Sequence, residues 1–227
     1  MMKVNEINVK AHYLFFVFVL SLVLCSSAAF GATIHVPANY KTIQGAINAA
    51  SDGDVVLVAD GTYTGSGNKW ISFKGKQITL QSENGPKNCI IDCENSGRGF
   101  SFDSGELADS VLSGFTITNG RWRDYGGAIY CANSAPTITD CIMVNNRVVG
   151  SSNNSHGGAI YLGPGASPTI TNCVIIGNSS DYHGGAIYSY NARPVIINCT
   201  ITRNIAVDGG AIYCRFQPAP TLMNCIL

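Results

Sequence analysis

Charge is scarce in this sequence. Lysine plus arginine and aspartate plus glutamate number 14 each, and charged residues make up only 12% of the 227 positions. Such a chain has no strongly basic field that would hold the phosphates of a nucleic acid or an anionic membrane. We therefore expect no nucleic-acid partner.

The sequence also lacks the spacings that typify metal sites. Its nine cysteines and four histidines include no C-x-x-C pair and no Cys/His group at zinc-site spacing, so no structural metal is predicted. Acidic residues form no dense cluster of the kind that binds calcium. We predict no cofactor, with calcium as the alternative.

A long apolar run occurs only near the N-terminus. The segment "AHYLFFVFVLSLVLC" lies between a lysine-bearing start and the small residues "SSAAFGA", which is the pattern of a secretory signal. We predict a signal peptide over 1–31, cleaved after Gly31 or Ala29, with an uncleaved membrane anchor as the alternative. After cleavage no transmembrane segment is expected, and 32–227 would form one secreted or cell-surface domain.

What the sequence does contain is a repeat. The hexapeptide "YGGAIY" at 125–130 recurs as "HGGAIY" at 156–161 and 183–188 and as "DGGAIY" at 208–213. Each copy is followed by a segment such as "PTITNCVIIGN" (168–178), whose cysteines are spaced by 32, 26 and 26 residues: Cys141, Cys173, Cys199 and Cys225. A period near 26 that consists of short alternating strands predicts an all-β solenoid of about seven rungs.

In a solenoid, equivalent side chains stack at the strand spacing of about 4.8 Å. Three apolar columns are predicted: Ile129, Ile160, Ile187 and Ile212; Ile138, Ile170, Ile196 and Leu222; and Met143, Ile175, Ile201 and Leu227. Two polar columns are predicted at the turns: Asp140, Asn172, Asn198 and Asn224; and Asn119, Asn146, Asn178 and Asn204. The paired glycines of each hexapeptide are interpreted as bends that need a positive φ or a close backbone approach.

These repeats resemble the right-handed parallel β-helix of the pectin-lyase-like superfamily. "GGAIY" followed by "FTITN"-type segments is similar to the GGAI and FxxN repeats of polymorphic outer-membrane adhesins. The segment "IHVPANYKTIQGAINAASDGDVVLVADGTYTG" (34–65) resembles the N-terminal rung of such proteins. The resemblance implies a short capping helix over 40–50, with Ile43, Ala46, Ile47 and Ala50 on its buried face.

The end of the sequence differs from its start. The chain stops at "NCIL", within a strand and without a capping element, and an open solenoid end would expose apolar core and unpaired backbone. We therefore expect a C-terminally truncated β-helix whose last rung is incomplete, or an edge that another chain covers. For the cysteine column, disulfides and a buried ladder of free thiols both remain open, and parallel in-register side chains favour free thiols.

Candidate ligand-binding residues lie where the loops enter the repeats. Polar residues precede the glycine pairs, and nearby loops add further charged and aromatic residues: Arg121, Trp122, Arg123, Asp124, His156 and Tyr182. The alternative for the Tyr125, His156, His183 and Asp208 column is a solvated position at the entrance of each strand. The tyrosines Tyr130, Tyr161, Tyr188 and Tyr213 would face outward and offer a stripe for sugar rings, or would stack on one another.

Catalytic residues are harder to assign. The superfamily includes polysaccharide lyases, hydrolases and pectin esterases, but their signature motifs are absent, and fold alone does not imply an activity. Asp181 and Asp208 are the one plausible carboxylate pair, with His183 nearby. We predict an exported scaffold that binds a polysaccharide or cell-surface glycan or mediates adhesion. A polysaccharide-degrading enzyme and a structural spacer are the alternatives.

Overall fold

The computed structural model describes residues 31–150, 155–216 and 220–227. They form a parallel β-solenoid of about seven turns with a single short helix, which confirms the predicted all-β solenoid. The predicted signal peptide lies outside the described residues, apart from Gly31. No helix in the described ranges is long and apolar enough to cross a membrane.

Four parallel sheets run along the solenoid, and each turn adds one strand to several of them. The long sheet contains β1 (Thr33–Val36), β2 (Val55–Val58), β5 (Thr79–Ser82), β8 (Val111–Ser113), β12 (Thr137–Thr139), β16 (Thr169–Thr171), β20 (Val195–Ile197) and β23 (Thr221–Met223). The middle sheet contains β3 (Gly61–Tyr63), β6 (Cys89–Asp92), β9 (Thr116–Thr118), β13 (Ile142–Val144), β17 (Val174–Ile176) and β21 (Thr200–Thr202).

The aromatic sheet, which carries the repeated tyrosines, contains β4 (Ile71–Ser72), β7 (Phe100–Phe102), β11 (Ile129–Cys131), β15 (Ile160–Leu162), β19 (Ile187–Tyr190) and β22 (Ile212–Arg215). The short sheet contains only β10 (Arg121–Arg123), β14 (Arg147–Val149) and β18 (Ser179–Ser180). It lies between the middle and aromatic sheets in chain order, so the turns that contain it have four strands.

The core is built from side chains that alternate inward along these strands. In β12, β16 and β20 the central isoleucine is buried while both neighbours are partly exposed, as a period of two requires. The strand registers confirm all three predicted apolar columns. In the last described turn Leu222 and Leu227 are exposed, and they have no rung beyond them to pack against in the described residues.

The predicted capping helix is present and shorter than expected. Helix α1 spans Ile43–Ala49 and buries Ile43, Ala46 and Ile47. It begins at Ile43 because the Thr42 side chain accepts a hydrogen bond from the Gly45 amide at 3.2 Å, which is N-cap geometry. At its other end the Lys76 ammonium donates to the carbonyls of Ile47, Asn48 and Ala50 at 2.6–2.9 Å.

The glycine pairs have the structural role predicted for them. The first glycine of each pair has a positive φ, for example 70° at Gly157, where a Cβ would overlap the Ile160 carbonyl oxygen. The second glycine lies against the next rung, so that a Cβ on Gly158 would overlap the Gly185 carbonyl oxygen. The first glycine thus permits the tight bend within a rung, and the second permits the close approach of successive rungs.

A ladder of asparagines connects successive rungs at the corner that follows the middle sheet. The side-chain oxygen Oδ1 of Asn178 accepts from the Asn146 backbone N–H at 2.9 Å and from the Asn146 side-chain amide at 3.0 Å. Oδ1 of Asn204 accepts the same two bonds from Asn178. Asn119 is not part of this ladder, so the predicted column is wrong at that position. Thr118 pairs with Val144, which puts Asn119 beside Asn145 and Gly120 beside Asn146.

The second polar column, at the exposed turns, is confirmed. Asp140, Asn172, Asn198 and Asn224 all have φ between 51° and 54°, a conformation that Asn and Asp tolerate better than most residues. Every cysteine in the described part of the chain is a free thiol: Cys89, Cys93, Cys131, Cys141, Cys173, Cys199, Cys214 and Cys225. Cys141, Cys173 and Cys199 are buried in one column, so the free-thiol ladder is the arrangement observed.

Candidate functional site: an aromatic and basic cleft

The most distinctive surface feature is a cleft of about 390 Å³ that we call the tryptophan cleft. It is lined by Trp70, Asn95, Ser96, Gly97, Arg121, Trp122, Arg123 and Val149. Its two tryptophans are the only tryptophans in the chain. The lining residues come from successive turns, so the cleft exists only once the solenoid has formed.

Backbone hydrogen bonds hold the three main segments of the cleft together. The Trp70 amide donates to the Arg98 carbonyl at 2.8 Å. Gly97 and Arg121 exchange two N–H to carbonyl bonds of 3.0 and 2.8 Å in an antiparallel bridge, although the sheets around them are parallel. This local reversal brings the start of β10, and with it Trp122, next to the segment that contacts Trp70.

Trp70 has an unusual backbone conformation. Its φ of 58° lies in the left-handed region, which costs a bulky residue roughly 1–2 kcal/mol. The indole packs so closely on Gly97 that a Cβ there would overlap its ring. Non-glycine residues held in this way cluster at functional sites, so the conformation marks Trp70 as a site candidate.

The two indoles form an edge-to-face pair. Their ring centroids are 4.5 Å apart with an interplanar angle of 88°, which is a favoured aromatic geometry. Trp70 remains 41% exposed and Trp122 38% exposed, so the pair does not bury either ring. Rigid aromatic surface that stays open to a cleft is suited to stacking against the apolar face of a ligand ring.

Arg98 lies against this pair from within the protein. Its guanidinium carbon is 5.2 Å from the Trp70 ring centroid, 5.9 Å from that of Trp122 and 4.8 Å from that of Tyr130, all within cation–π range. The residue is only 6% exposed. Burial lowers the pKa of Arg98 to about 10, so the side chain is still a cation at neutral pH.

Sequence reasoning identified one side of this cleft. Arg121, Trp122 and Arg123 line it, whereas Asp124, with a φ of 59°, follows them without lining it. Trp70 and Arg98 were missed because they lie in turns whose sequence does not repeat, so no column alignment links them to Trp122. The rarity of tryptophan is the signal that would have found Trp70.

The predicted histidine and tyrosine columns form a second aromatic cluster, which adjoins the cleft through the contact of Arg98 with Tyr130. His156 and His183 each stack on the tyrosine of the following rung, Tyr188 and Tyr213, with centroid distances of 4.2 Å. Tyr125 contacts Tyr161 at 4.4 Å with the two rings tilted by 39°. The tyrosines also stack on one another at 5.4–5.6 Å. These are extended aromatic stacks along the aromatic sheet.

This stacking decides between the two interpretations of the tyrosine column. Tyr161 is 7% exposed and Tyr188 1% exposed, and burial raises the pKa of both phenols. A sugar ring has no open face to stack on at these two residues. Mutual stacking therefore describes the interior of the column, while Tyr130 and Tyr213 at its ends are half-buried and stay predicted ligand contacts.

The weak catalytic candidates have partners of their own. Asp181 pairs with Arg147 at 3.0 Å, and the Asp208 carboxylate lies 3.1 Å from Nδ1 of His183. Tyr182 contacts the His183 ring edge-to-face at 4.3 Å. Asp181 and Asp208 thus each face a basic group, and their role in catalysis stays a prediction. No group of three His, Cys, Asp or Glu side chains in the described ranges converges as metal ligands would.

A second cleft of about 470 Å³, the N-terminal cleft, shares Trp70 with the first. Its other lining residues are Gln44, Gly65, Ser66, Gly67 and Lys69. The Lys69 ammonium is 2.8 Å from the Glu94 carboxylate, and the Gln44 side chain hydrogen-bonds both backbone groups of Ser72. Trp70 therefore stands between two adjoining depressions.

Comparison with known proteins bears on the fold. Residues 150–227 match the family model described as the right-handed β-helix region. Neither the curated proteins nor the solved structures compared with the chain contain a match. The matched range starts immediately after the last residue of the tryptophan cleft, so the similarity concerns the regular rungs and not the cleft.

Proposed function

We propose that the protein is an exported β-helix scaffold that binds a polysaccharide or cell-surface glycan through the tryptophan cleft, either to hold the glycan or to adhere to a surface that carries it. The observation that carries this proposal is the exposed edge-to-face pair of Trp70 and Trp122 in a cleft with polar walls. Export rests on the apolar segment and small residues that precede the solenoid in the sequence.

Three features of the cleft support a binding role. The aromatic pair offers apolar surface to sugar rings, while the flanking asparagine, serine and arginine side chains offer hydrogen bonds to hydroxyl groups. Trp70 is held in a costly conformation that positions its ring at the junction of two clefts. Both clefts are open depressions, as an extended chain would require.

The test uses the intrinsic fluorescence of the purified protein. Because both tryptophans belong to the cleft, any ligand that stacks there should change the emission. Glycans selected on an array should be titrated against the wild type and against Trp122→Ala. We expect the substitution to weaken binding at least tenfold, about 1.4 kcal/mol.

A matched control is Phe216→Ala, which removes an exposed aromatic residue that contacts Tyr190 and Arg215 and not the cleft. It should leave the affinity unchanged. Binding that survives Trp122→Ala, or that Phe216→Ala weakens equally, would contradict the assignment of the cleft.

The same preparation tests the enzymatic alternative. Polysaccharides should be incubated with the protein with and without calcium, and the release of products measured for the wild type and for a double variant, Asp181→Asn with Asp208→Asn. A scaffold releases no products, and its glycan affinity stays intact in the double variant. Product release that the double substitution abolishes would instead favour a lyase or hydrolase.

A further inference from the structure

Four cysteines lie one above another at the corner between the long and middle sheets: Cys141, Cys173, Cys199 and Cys225. We infer that this cysteine column is a binding site for copper(I), a soft monovalent metal ion, and that each ion bridges the sulfurs of two neighbouring rungs. None of the four residues lines the tryptophan cleft, so the site is independent of the proposed glycan binding.

The strands on both sides of the corner fix the register of the cysteine column. Residues before and after each cysteine pair with their counterparts in the next rung, for example Thr139 with Thr171 and Ile142 with Val174. The four thiols also share one orientation, because each donates to the carbonyl two residues earlier at 3.1–3.3 Å. The sulfurs should therefore repeat at the strand spacing of about 4.8 Å.

This spacing suits a metal ion held by two sulfurs. Two metal–thiolate bonds of about 2.3 Å placed end to end span about 4.6 Å. An ion can thus lie between adjacent sulfurs without a shift of the backbone. Two of the eight cysteines that the structure describes, Cys131 and Cys214, have Leu162, Phe102 and Ser189 as their in-register neighbours, so they offer no such pair.

The thiols of the column also differ from isolated thiols in acidity. Hydrogen bonding with Cys173 lowers the pKa of Cys141 and lowers that of Cys199 to about 7, while it raises the pKa of Cys173 itself. Burial instead raises the pKa of both Cys89 and Cys93 to about 12. Because the thiolate is the form that binds metals, the column offers ligands near neutral pH that the isolated thiols do not.

Backbone groups compensate the charge that copper binding creates. Two thiols that bind one copper(I) ion release two protons to water and leave one negative charge on the S–Cu–S unit. The N–H of Cys141 hydrogen-bonds the Cys173 sulfur, and the N–H of Cys173 hydrogen-bonds the Cys199 sulfur. Such hydrogen bonds stabilise an ionised group inside a protein.

The ligand number and type favour copper(I) over zinc. Structural zinc takes four ligands in a tetrahedron, and no three His, Cys, Asp or Glu side chains converge in the part of the chain that the structure describes. Thiolates are soft ligands that suit copper(I). The buried cysteines lie directly after the exposed corner residues Asp140, Asn172 and Asn198, so a single residue in each rung separates the column from solvent.

The experiment titrates copper(I) into the reduced, purified protein under anaerobic conditions, in competition with the chelator bicinchoninate. Four sulfurs in a row form two separate pairs, so we expect two tightly bound ions per chain and two sulfur neighbours per copper by X-ray absorption. Zinc(II) should bind at least about tenfold more weakly. The copper affinity should fall at lower pH, because binding releases protons. Protein refolded with copper(I) present is titrated as well, so that burial of the column does not prevent loading.

Two variants count the pairs. Cys173→Ala should retain one ion, on Cys199 and Cys225, because Cys141 is then two rungs from the next sulfur, about 9.6 Å away. Cys173→Ala with Cys225→Ala leaves no adjacent pair and should bind no copper tightly. Copper should raise the melting temperature of the wild type and not that of the double variant.

The matched control is Cys131→Ala. Cys131 is as buried as Cys173, but it lies between Phe102 and Leu162, so both ions should remain. Circular dichroism without copper checks that each variant is folded. Loss of an ion from Cys131→Ala, or retention of both ions by the double variant, would overturn the assignment to the column. If neither native nor refolded wild type binds copper(I) more tightly than the double variant does, the site does not exist, and the proposed glycan binding is unaffected.

Discussion

The rungs from Gly126 to Asn204 carry the same side chain at the same position in turn after turn, whereas the turns from Val55 to Asp124 do not. In the regular rungs isoleucines, asparagines, tyrosines and glycines each form their own column. In the irregular turns phenylalanines of different rungs pack among the aliphatic core residues: Phe73, Phe100, Phe102 and Phe115. Every residue of the tryptophan cleft except Val149 belongs to the irregular turns.

This difference assigns stability to the regular rungs and ligand binding to the irregular turns. A side chain that must match its neighbours above and below has little freedom to point at a ligand. An irregular turn can instead place a tryptophan at a positive φ, reverse a short backbone segment and leave an arginine unpaired. We therefore expect substitutions in the regular rungs to affect stability, and substitutions at the cleft to affect binding.

The largest loss of stability is expected for Gly157→Ala. The fold would hold the alanine at a positive φ, and its Cβ would overlap the Ile160 carbonyl oxygen. The free energy of unfolding should therefore fall by about 3 kcal/mol or more. Gly105→Ala is the control: its φ is also positive, at 80°, but nothing lies within 4 Å of the added carbon. It should cost only about 1 kcal/mol. Equal losses by chemical denaturation would show that the close approach of the Ile160 carbonyl is not what requires glycine at this position.

An intermediate effect is expected for Asn178→Ala in the buried ladder. The substitution leaves the Asn146 backbone N–H without its partner and removes the side-chain bond from Asn178 to the Met143 carbonyl, which should lower the free energy of unfolding by about 3 kcal/mol at most. Asn172→Ala, in the exposed column where the inter-rung bond is 3.3 Å long, should cost about 1 kcal/mol through its positive φ. Thermal melts of the two variants test the ranking, which fails if the exposed variant is the less stable one.

The smallest change in stability is expected for Trp70→Gly. Relief of the positive φ offsets part of the lost packing of a ring that is 41% exposed, so the free energy of unfolding should change by no more than about 1 kcal/mol. Glycan affinity should nevertheless fall at least tenfold. Denaturation followed by circular dichroism and calorimetric titration measure the two quantities. A loss of more than about 2 kcal/mol in stability would make Trp70 a structural residue and remove the distinction between the two regions.

The contrast between regular rungs and irregular turns also explains which features could be predicted from the sequence. Columns such as Ile138, Ile170 and Ile196 were predictable because the period repeats, and the one error, at Asn119, occurred where the repeat begins. The cleft was only half predictable. Trp122 stood out next to two arginines, but the contact of Arg98 with Trp70 depends on which irregular turns become neighbours, and no local pattern encodes that.

The asparagine ladder has a consequence for how such a chain can change length. Each amide is satisfied by one rung on either side, and the spacing of 26 residues from Asn178 to Asn204 and 32 from Asn146 to Asn178 leaves the bonds the same. A duplicated segment of that size would insert with its own partners already encoded, and extra loop residues would not disturb it. Evolution can thus lengthen the regular part by copying while the cleft, which has no repeat to copy, is preserved as a single site.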